Sequence, residues 1–352
     1  MYRSRIHHSP RQVRQPLIPH RSSLAQPSSV KLLAAGSVAY NWQGGLLGGL
    51  GSDAILRYVA LVQTETTLSR QEQTELARLG FSLGPQLGSG AMSTVYALSG
   101  LHLAPGQSAP FPGHAELAIK VLHAMHTGNI DLVLRFLQEE AVAAKVRHPA
   151  ILRIFGSGMI GVRPYLLMER LTNTLHHQLP FLDRMARIYI AIRVAQGAAV
   201  LHESGVIHRD LKPSNVMVGG GAAPVVKIVD FSLAKWQSVP AGLRISTAQS
   251  DVLGTAEYRA PEAWISAKEA DEKSDVYSLG VMLFELWNDR LPFLGVRQCE
   301  LMDQHLYETA PLLPSSPQPL TDLVAAMLDK RRSRRPRMHE VAQRLLKIVK
   351  PR

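Results

Sequence analysis

A mixed α+β fold of two lobes, a small strand-rich one followed by a larger helical one, is what this sequence predicts. From about residue 80 to 168, short apolar runs are punctuated by Gly and Pro, with one helical pattern among them. Beyond Met185 helical spacing dominates, broken by short strands and a long loop between Val216 and Pro261. The change of character places a hinge near residue 169.

Taken in order, residues 1–65 carry Pro10, Pro16, Pro19 and Pro27, serine clusters and a Gly-rich stretch at 44–49. Such a segment buries too little apolar surface to offset its ordering entropy, so disorder is expected. Its basic, acid-poor composition equally fits an organelle transit peptide, a plain tail or a mis-assigned start. Thr67 to Leu79 reads as a short lead-in helix, and a large domain over 80–350 follows. Within it, Phe81–Tyr96 has the alternation of a hairpin and Ser99–His114 the Gly and Pro content of a loop. Glu116–Leu122 is a strand around a single charge, Lys120. Ile130, Leu134, Leu137, Ala141 and Ala144 repeat at helical spacing across Ile130–Val146. Ile151–Met168 supplies two more strands separated at Gly161. The smaller lobe is thus expected over about 80–168 and the larger over about 172–350.

Composition removes several classes of function. The chain has 352 residues, of which 46% are hydrophobic, enough for a large core. No run approaches the length that spans a bilayer, so the reading is of a soluble chain. A lone cysteine, Cys299, rules out an internal disulfide and a multi-cysteine zinc site, and fits a reducing, cytoplasmic compartment. Cys299 itself reads as a buried structural residue. The net charge of +11 raises nucleic-acid binding, but its location argues against it. Part lies in residues 1–52, which hold five Arg, one Lys and no acid, and part in Lys330, Arg331, Arg332, Arg334, Arg335 and Arg337. Neither cluster is interleaved with aromatics for base stacking.

Four short stretches carry chemistry. Leu87-Gly88-Ser89-Gly90 through Val95 puts paired glycines where backbone N–H groups can approach phosphates; alone it reads as an ordinary turn. Ala118-Ile119-Lys120 places an ammonium in an apolar strand, where it needs an acidic partner or an anion. Nineteen residues on, Glu139 sits on the expected helix; Glu140 competes, and helical phase favours Glu139. In His208-Arg209-Asp210-Leu211-Lys212-Pro213-Ser214-Asn215, Asp210 can accept a proton from an attacking hydroxyl and Lys212 can steady phosphoryl charge. Asn215 offers a hard oxygen to a divalent cation. Fifteen residues further, Asp230 in Val229-Asp230-Phe231 is a second hard oxygen ligand. Base, cation and two metal ligands in one short hairpin form a phosphoryl-transfer constellation.

On these residues the chain resembles the eukaryotic-type protein kinase superfamily, Ser/Thr branch, over residues 80 to 350. The resemblance implies an ATP pocket of Leu87, Gly88, Ser89, Gly90, Val95 and Ala118, with Lys120 on the phosphates and paired to Glu139. It implies Met168 as gatekeeper, Glu169 to Leu171 as the hinge meeting adenine, and Met217 as the pocket floor. Met217 reads equally well as an ordinary core methionine. Asp210 becomes the catalytic base, and Asn215 and Asp230 the Mg²⁺ ligands. Residues 254–262 resemble the substrate-docking segment, with Glu262 pairing to Arg335, and Asp275 resembles the aspartate that anchors the catalytic loop. Lys212 and Thr255 point to Ser/Thr acceptors in protein substrates. The stretches at 148–152 and 305–313 bring bacterial members nearest.

Two departures stand out. The third glycine of the phosphate loop is Ser93, and Phe231 is followed by Ser232 instead of glycine. Glycine there permits torsions that serine resists, so the freedom of this segment to flip is in question. Arg209 resembles the arginine that receives an activation-loop phosphate, with Ser246, Thr247 and Ser250, near Arg244, as acceptors. The alternative reading is a pseudokinase serving as an ATP-binding signalling scaffold. A small-molecule phosphotransferase fits less well, because of the docking segment.

Overall fold

A computed structural model describes residues 67–101, 116–219, 224–237 and 254–349. The tail expected over 1–65, most of the 99–114 loop, and Arg244, Ser246, Thr247 and Ser250 lie outside the described residues.

The first element, α1 (Arg70–Arg78), starts at a capping box. The Ser69 hydroxyl accepts from the Glu72 amide while the Glu72 carboxylate accepts from the Ser69 amide. Two long-range ties seat it on the sheet that follows. Glu75 accepts from the Gly161 amide at 2.9 Å, and buried Arg163 donates to the Leu122 and Thr67 carbonyls at 2.8 and 2.9 Å.

That sheet has five antiparallel strands: β1 (Phe81–Ser89), β2 (Ser93–Leu101), β3 (Leu117–Leu122), β4 (Ile154–Ile160) and β5 (Arg163–Glu169), ordered β1-β2-β3-β5-β4. Period-two alternation divides its residues. Leu117, Ile119, Val121, Tyr165 and Leu167 fill one cluster with Phe81 and Leu76 from α1. Ala118, Leu122, Leu166 and Met168 point the other way, and Lys120 falls on that second face. There it meets α2 (Ile130–Lys145), whose first turn is capped by Asn129. Phe136 of α2 packs on Leu122 and Leu166.

Short elements connect to the helical lobe: β6 (Asn173–Thr174), α3 (Leu175–Gln178), the long α4 (Arg184–Glu203) and β7 (Val206–Ile207). Next come β8 (Val216–Gly219), β9 (Val225–Ile228) and β10 (Lys235–Trp236), with β6-β8-β9 in one sheet and β10 pairing β7. The remainder is α5 (Pro261–Ile265), α6 (Glu272–Asn288), α7 (Gln298–Tyr307), α8 (Gln318–Met327) and α9 (Met338–Val349). Helix α6 is the spine of this lobe, buried from Ser274 through Phe284. Gly280 lets it touch α8, since a Cβ there would stand 2.9 Å from the Met327 Cβ. The strands-then-helices arrangement is the α+β fold expected.

One expectation fails. Cys299 is exposed. Helix α7 buries Leu301 and His305, one helical turn apart, and position 299 falls on its outer side. Among the described residues, no helix is long and apolar enough to cross a membrane.

Candidate active site

The loop between β7 and β8 is built on one buried carboxylate. Asp275, in the first turn of α6, is fully buried. It accepts from the amides of His208 and Arg209, each at 2.8 Å, and sits 2.8 Å from His202 Nε2. Burial alone would push its carboxyl up, but these bonds and the nearby imidazoles hold it below the usual carboxylate range. Arg209 adopts φ +67°, a left-handed backbone uncommon for a side chain of its size. Its amide bond to Asp275, and a 2.6 Å bond from Nε to the Leu233 carbonyl, hold that conformation.

The kink presents Asp210, whose two carboxylate oxygens divide their partners. Oδ1 accepts from the Thr255 amide at 2.8 Å and the Thr255 hydroxyl at 3.0 Å. Oδ2 faces Lys212 Nζ and Asn215 Nδ2, both at 2.8 Å. Lys212 also donates to the Thr255 hydroxyl. Asn215 spends its amide nitrogen on Asp210, leaving the amide oxygen for another partner. Thr255 reaches this position because Gly254 turns at φ +83°, where a Cβ would stand 3.0 Å from the Arg209 carbonyl.

Across from this loop, Lys120 Nζ lies 2.5 Å from Glu139 Oε1, and the Glu139 side chain is only 1% exposed. Asp230 is the third charge of the group. Burial opposes the Lys120 charge, yet Glu139 and Asp230 outweigh it and raise the ammonium's pKa. Burial pushes Glu139 up, to about 7, with Asp230 adding to the rise and Lys120 opposing it. For Asp230 the balance goes the other way: Lys120 and a hydrogen bond from Ser232 overcome burial and hold it low. Asp230 also sits at φ +64°.

The residues expected around a nucleotide divide into two groups. Val95 and Leu171 pack against the cluster that contains Ala118 and Met168, with Ala118 directly opposite Met168 in the sheet. Leu87, Gly88 and Ser89 form the exposed end of β1, and the turn into β2 is closed by the Gly90 amide on the Ser93 carbonyl at 2.9 Å. A Cβ on Gly88 would meet nothing within 4 Å, so this turn is open to an incoming group. Met217 is half-buried on β8. The Glu169 carboxylate is committed to the Arg153 amide at 2.7 Å and Lys227 at 2.8 Å, and its own amide to the Arg153 carbonyl at 3.0 Å, so any hinge contact falls to its backbone carbonyl. Ser93, which stands where a third glycine was expected, is buried in β2.

The 254–262 stretch, expected to be a substrate-docking segment, is tied down at Glu262. Arg335 donates to both Glu262 oxygens, at 2.7 and 2.9 Å, and Ser274 donates to Glu262 at 2.6 Å. Sequence reasoning overlooked Gln138. This buried amide donates to the Phe231 and Ala234 carbonyls, each at 2.7 Å. Nothing but its place beside Glu139 signals it.

The donor set fits a nucleotide with a divalent cation. A carboxylate and an amide oxygen are hard ligands of the kind Mg²⁺ takes alongside phosphates, and a buried ammonium faces them. Residues 81–346 match the family described as "Protein kinase domain". The chain belongs to that family. It is 33% identical over 245 residues to serine/threonine-protein kinase PknB of Mycobacterium tuberculosis, covering 67% of this chain and 36% of that protein. It is 34% identical over 244 residues to PknB of Mycolicibacterium smegmatis, with the same coverage. To serine/threonine-protein kinase pkn2 of Myxococcus xanthus it is 33% identical over 271 residues, 74% of this chain and 31% of that one. The bacterial Ser/Thr branch is therefore the right neighbourhood for this kinase domain. The chain spans about a third of the length of the curated relatives it matches.

Proposed function

We propose that the chain is a Ser/Thr protein kinase, transferring the γ-phosphoryl group of ATP to serine and threonine hydroxyls of protein substrates in the cytoplasm. The observation that carries this reading is the constellation around Asp210, with Lys212, Asn215 and Thr255 on its carboxylate and the Lys120–Glu139 pair opposite. Bound MgATP would supply the transferable phosphoryl group and the cationic charge that offsets its oxygens.

Asp210 orients the acceptor hydroxyl and takes its proton as the new O–P bond forms and the bond to the departing phosphate oxygen breaks. Lys212, tied to both Asp210 and Thr255, counters charge on the moving group. Lys120 holds the nucleotide phosphates, and Glu139 keeps its ammonium aimed at them. Asn215 and Asp230 hold the cation. The open turn at Gly88 and Gly90 covers the phosphates, while Leu87, Ser89, Val95, Ala118, Met168, Leu171 and Met217, with the Glu169 backbone, enclose the rest of the nucleotide. Catalysis then rests on positioning and charge.

Labelled ATP, Mg²⁺ and a generic protein substrate test the proposal, with Lys120→Ala and Asp210→Ala beside the wild type. Label transferred by the wild type alone supports the kinase. Nucleotide binding without transfer by any of the three overturns it and leaves a scaffold.

A further inference from the structure

Ser232 and Gln138 both bond to the short segment that begins at Asp230. The Ser232 hydroxyl donates to Asp230 Oδ1 at 2.6 Å, and the Ser232 amide points to the same oxygen at 3.3 Å. Gln138, 2% exposed, uses one amide nitrogen to reach the carbonyls of Phe231 and Ala234. The Phe231 ring is fully buried, 5.3 Å from that of His208 in an edge-on contact.

Two details separate this arrangement from ordinary packing. Within the segment only Asp230 occupies the left-handed region, so Ser232 carries its side chain without backbone strain. A glycine here would add torsional freedom and remove a hydroxyl, with no steric relief. Gln138 is also the residue next to Glu139 on α2. An outward shift of that helix would break the Lys120 pair and both Gln138 bonds together.

We propose that Gln138 and Ser232 form a clasp that presents Asp230 to the cation, making both positioning residues for phosphoryl transfer. This rests on the reading of Asp230 as a cation ligand. The hydroxyl bond fixes the rotation of the carboxylate, and the two carbonyl bonds fix the backbone that carries it. The serine found where a glycine was expected is thus one half of the device. The clasp couples the seating of α2 to the aim of Asp230, so both metal ligation and the Lys120 pair require one helix position.

The test measures ADP binding by calorimetry on the full chain, with and without Mg²⁺. It compares wild type, Asp230→Ala, Ser232→Ala, Ser232→Thr and Gln138→Met, and follows amide exchange over residues 231–236 without nucleotide. Wild type should gain affinity from Mg²⁺, and Asp230→Ala should lose that gain. Failure of this control sinks the ligand reading, and amide exchange then still decides the clasp. Ser232→Ala should cut the Mg²⁺-dependent gain about tenfold, the scale of a lost hydrogen bond to a charged group, and Gln138→Met, which leaves two buried carbonyls without their donor, by about the same factor. Both should also speed exchange, with metal-free ADP binding held within about twofold of wild type. Ser232→Thr, which keeps the hydroxyl, should behave as wild type. Should Gln138→Met not fold, the Ser232 variants carry the test alone. An unchanged Mg²⁺ gain or unchanged exchange in Ser232→Ala, or no rescue by threonine, overturns the clasp.

Discussion

Replacing Asp275 by Asn probes how the fold aims the loop that carries Asp210. The native carboxylate satisfies two backbone N–H groups and an imidazole in a site closed to water. Asparagine offers one acceptor oxygen and an NH₂ that repels whichever amide it faces. At least one buried N–H loses its partner, at about 1–3 kcal/mol, and the charge-assisted bond to His202 is lost as well. The sum is about 2–5 kcal/mol, a large part of a typical stability of about 5–15 kcal/mol, yet short of unfolding the domain. Released from Asp275, Arg209 has less to hold it at φ +67°, and Asp210 next to it shifts. A misplacement of about 1 Å costs roughly 100-fold in rate.

Urea unfolding and steady-state phosphate transfer, run on the same preparations, measure both losses. The pH dependence supplies a sign. The Asp275 carboxyl is held below its usual value of 3.8, so the folded pKa lies under the unfolded one. Its contribution is fully present above the unfolded value and fades as pH falls through the folded value. The gap between wild type and Asp275→Asn should stay constant down to about pH 4 and narrow below it. A variant within about 0.5 kcal/mol of wild type and with an unchanged rate would refute this chain of reasoning.

Three further outcomes follow from the same geometry. Arg335→Lys loses the two-pronged contact with Glu262 inside the lobe and should cost about 2 kcal/mol or more in denaturant unfolding; no change would remove the brace behind residues 254–262. Glu139, pushed up to about 7, loses its charge as pH falls through that value, so kcat/KM for ATP should show an acid limb near pH 7. Glu139→Gln should be slow throughout and lack that limb; a wild-type profile flat from about pH 6 to 8 contradicts the assignment. Arg209 Nη1 is buried without a partner among the described residues, and burial with Arg135 nearby lowers the group's pKa to about 10. A phosphate between residues 238 and 252 should supply that partner, so phosphatase should slow wild type but not Arg209→Ala. Active enzyme without phosphate there, by mass spectrometry, ends the idea.

The parts that were legible in the sequence are those where one residue type has one physical use. Lys120 was readable because an ammonium in an apolar strand needs an acid, and β3 alternation turns it onto the face of α2. The Asp210, Asn215 and Asp230 spacing was readable because a hairpin of β8 and β9 brings such residues back together. Gln138 was not, since a glutamine beside a glutamate on a helix looks like solvent-facing polarity until the partner segment is in place. Ser232 was noticed for the glycine it replaces, and its bond to Asp230 depends on a backbone turn that spacing does not encode. Cys299 was misread because a free cysteine is usually a buried structural residue, whereas the phase of α7 is set by Leu301 and His305.

The most direct measurement is the turnover of Asp210→Asn, which keeps the shape of the side chain and removes its basicity. Proton transfer to a positioned carboxylate accounts for about 10²–10⁴ in rate. The kinase reading predicts a loss of kcat in that range, ADP–Mg²⁺ affinity within about twofold of wild type, and residual label on serine or threonine. Turnover close to wild type in Asp210→Asn would contradict it.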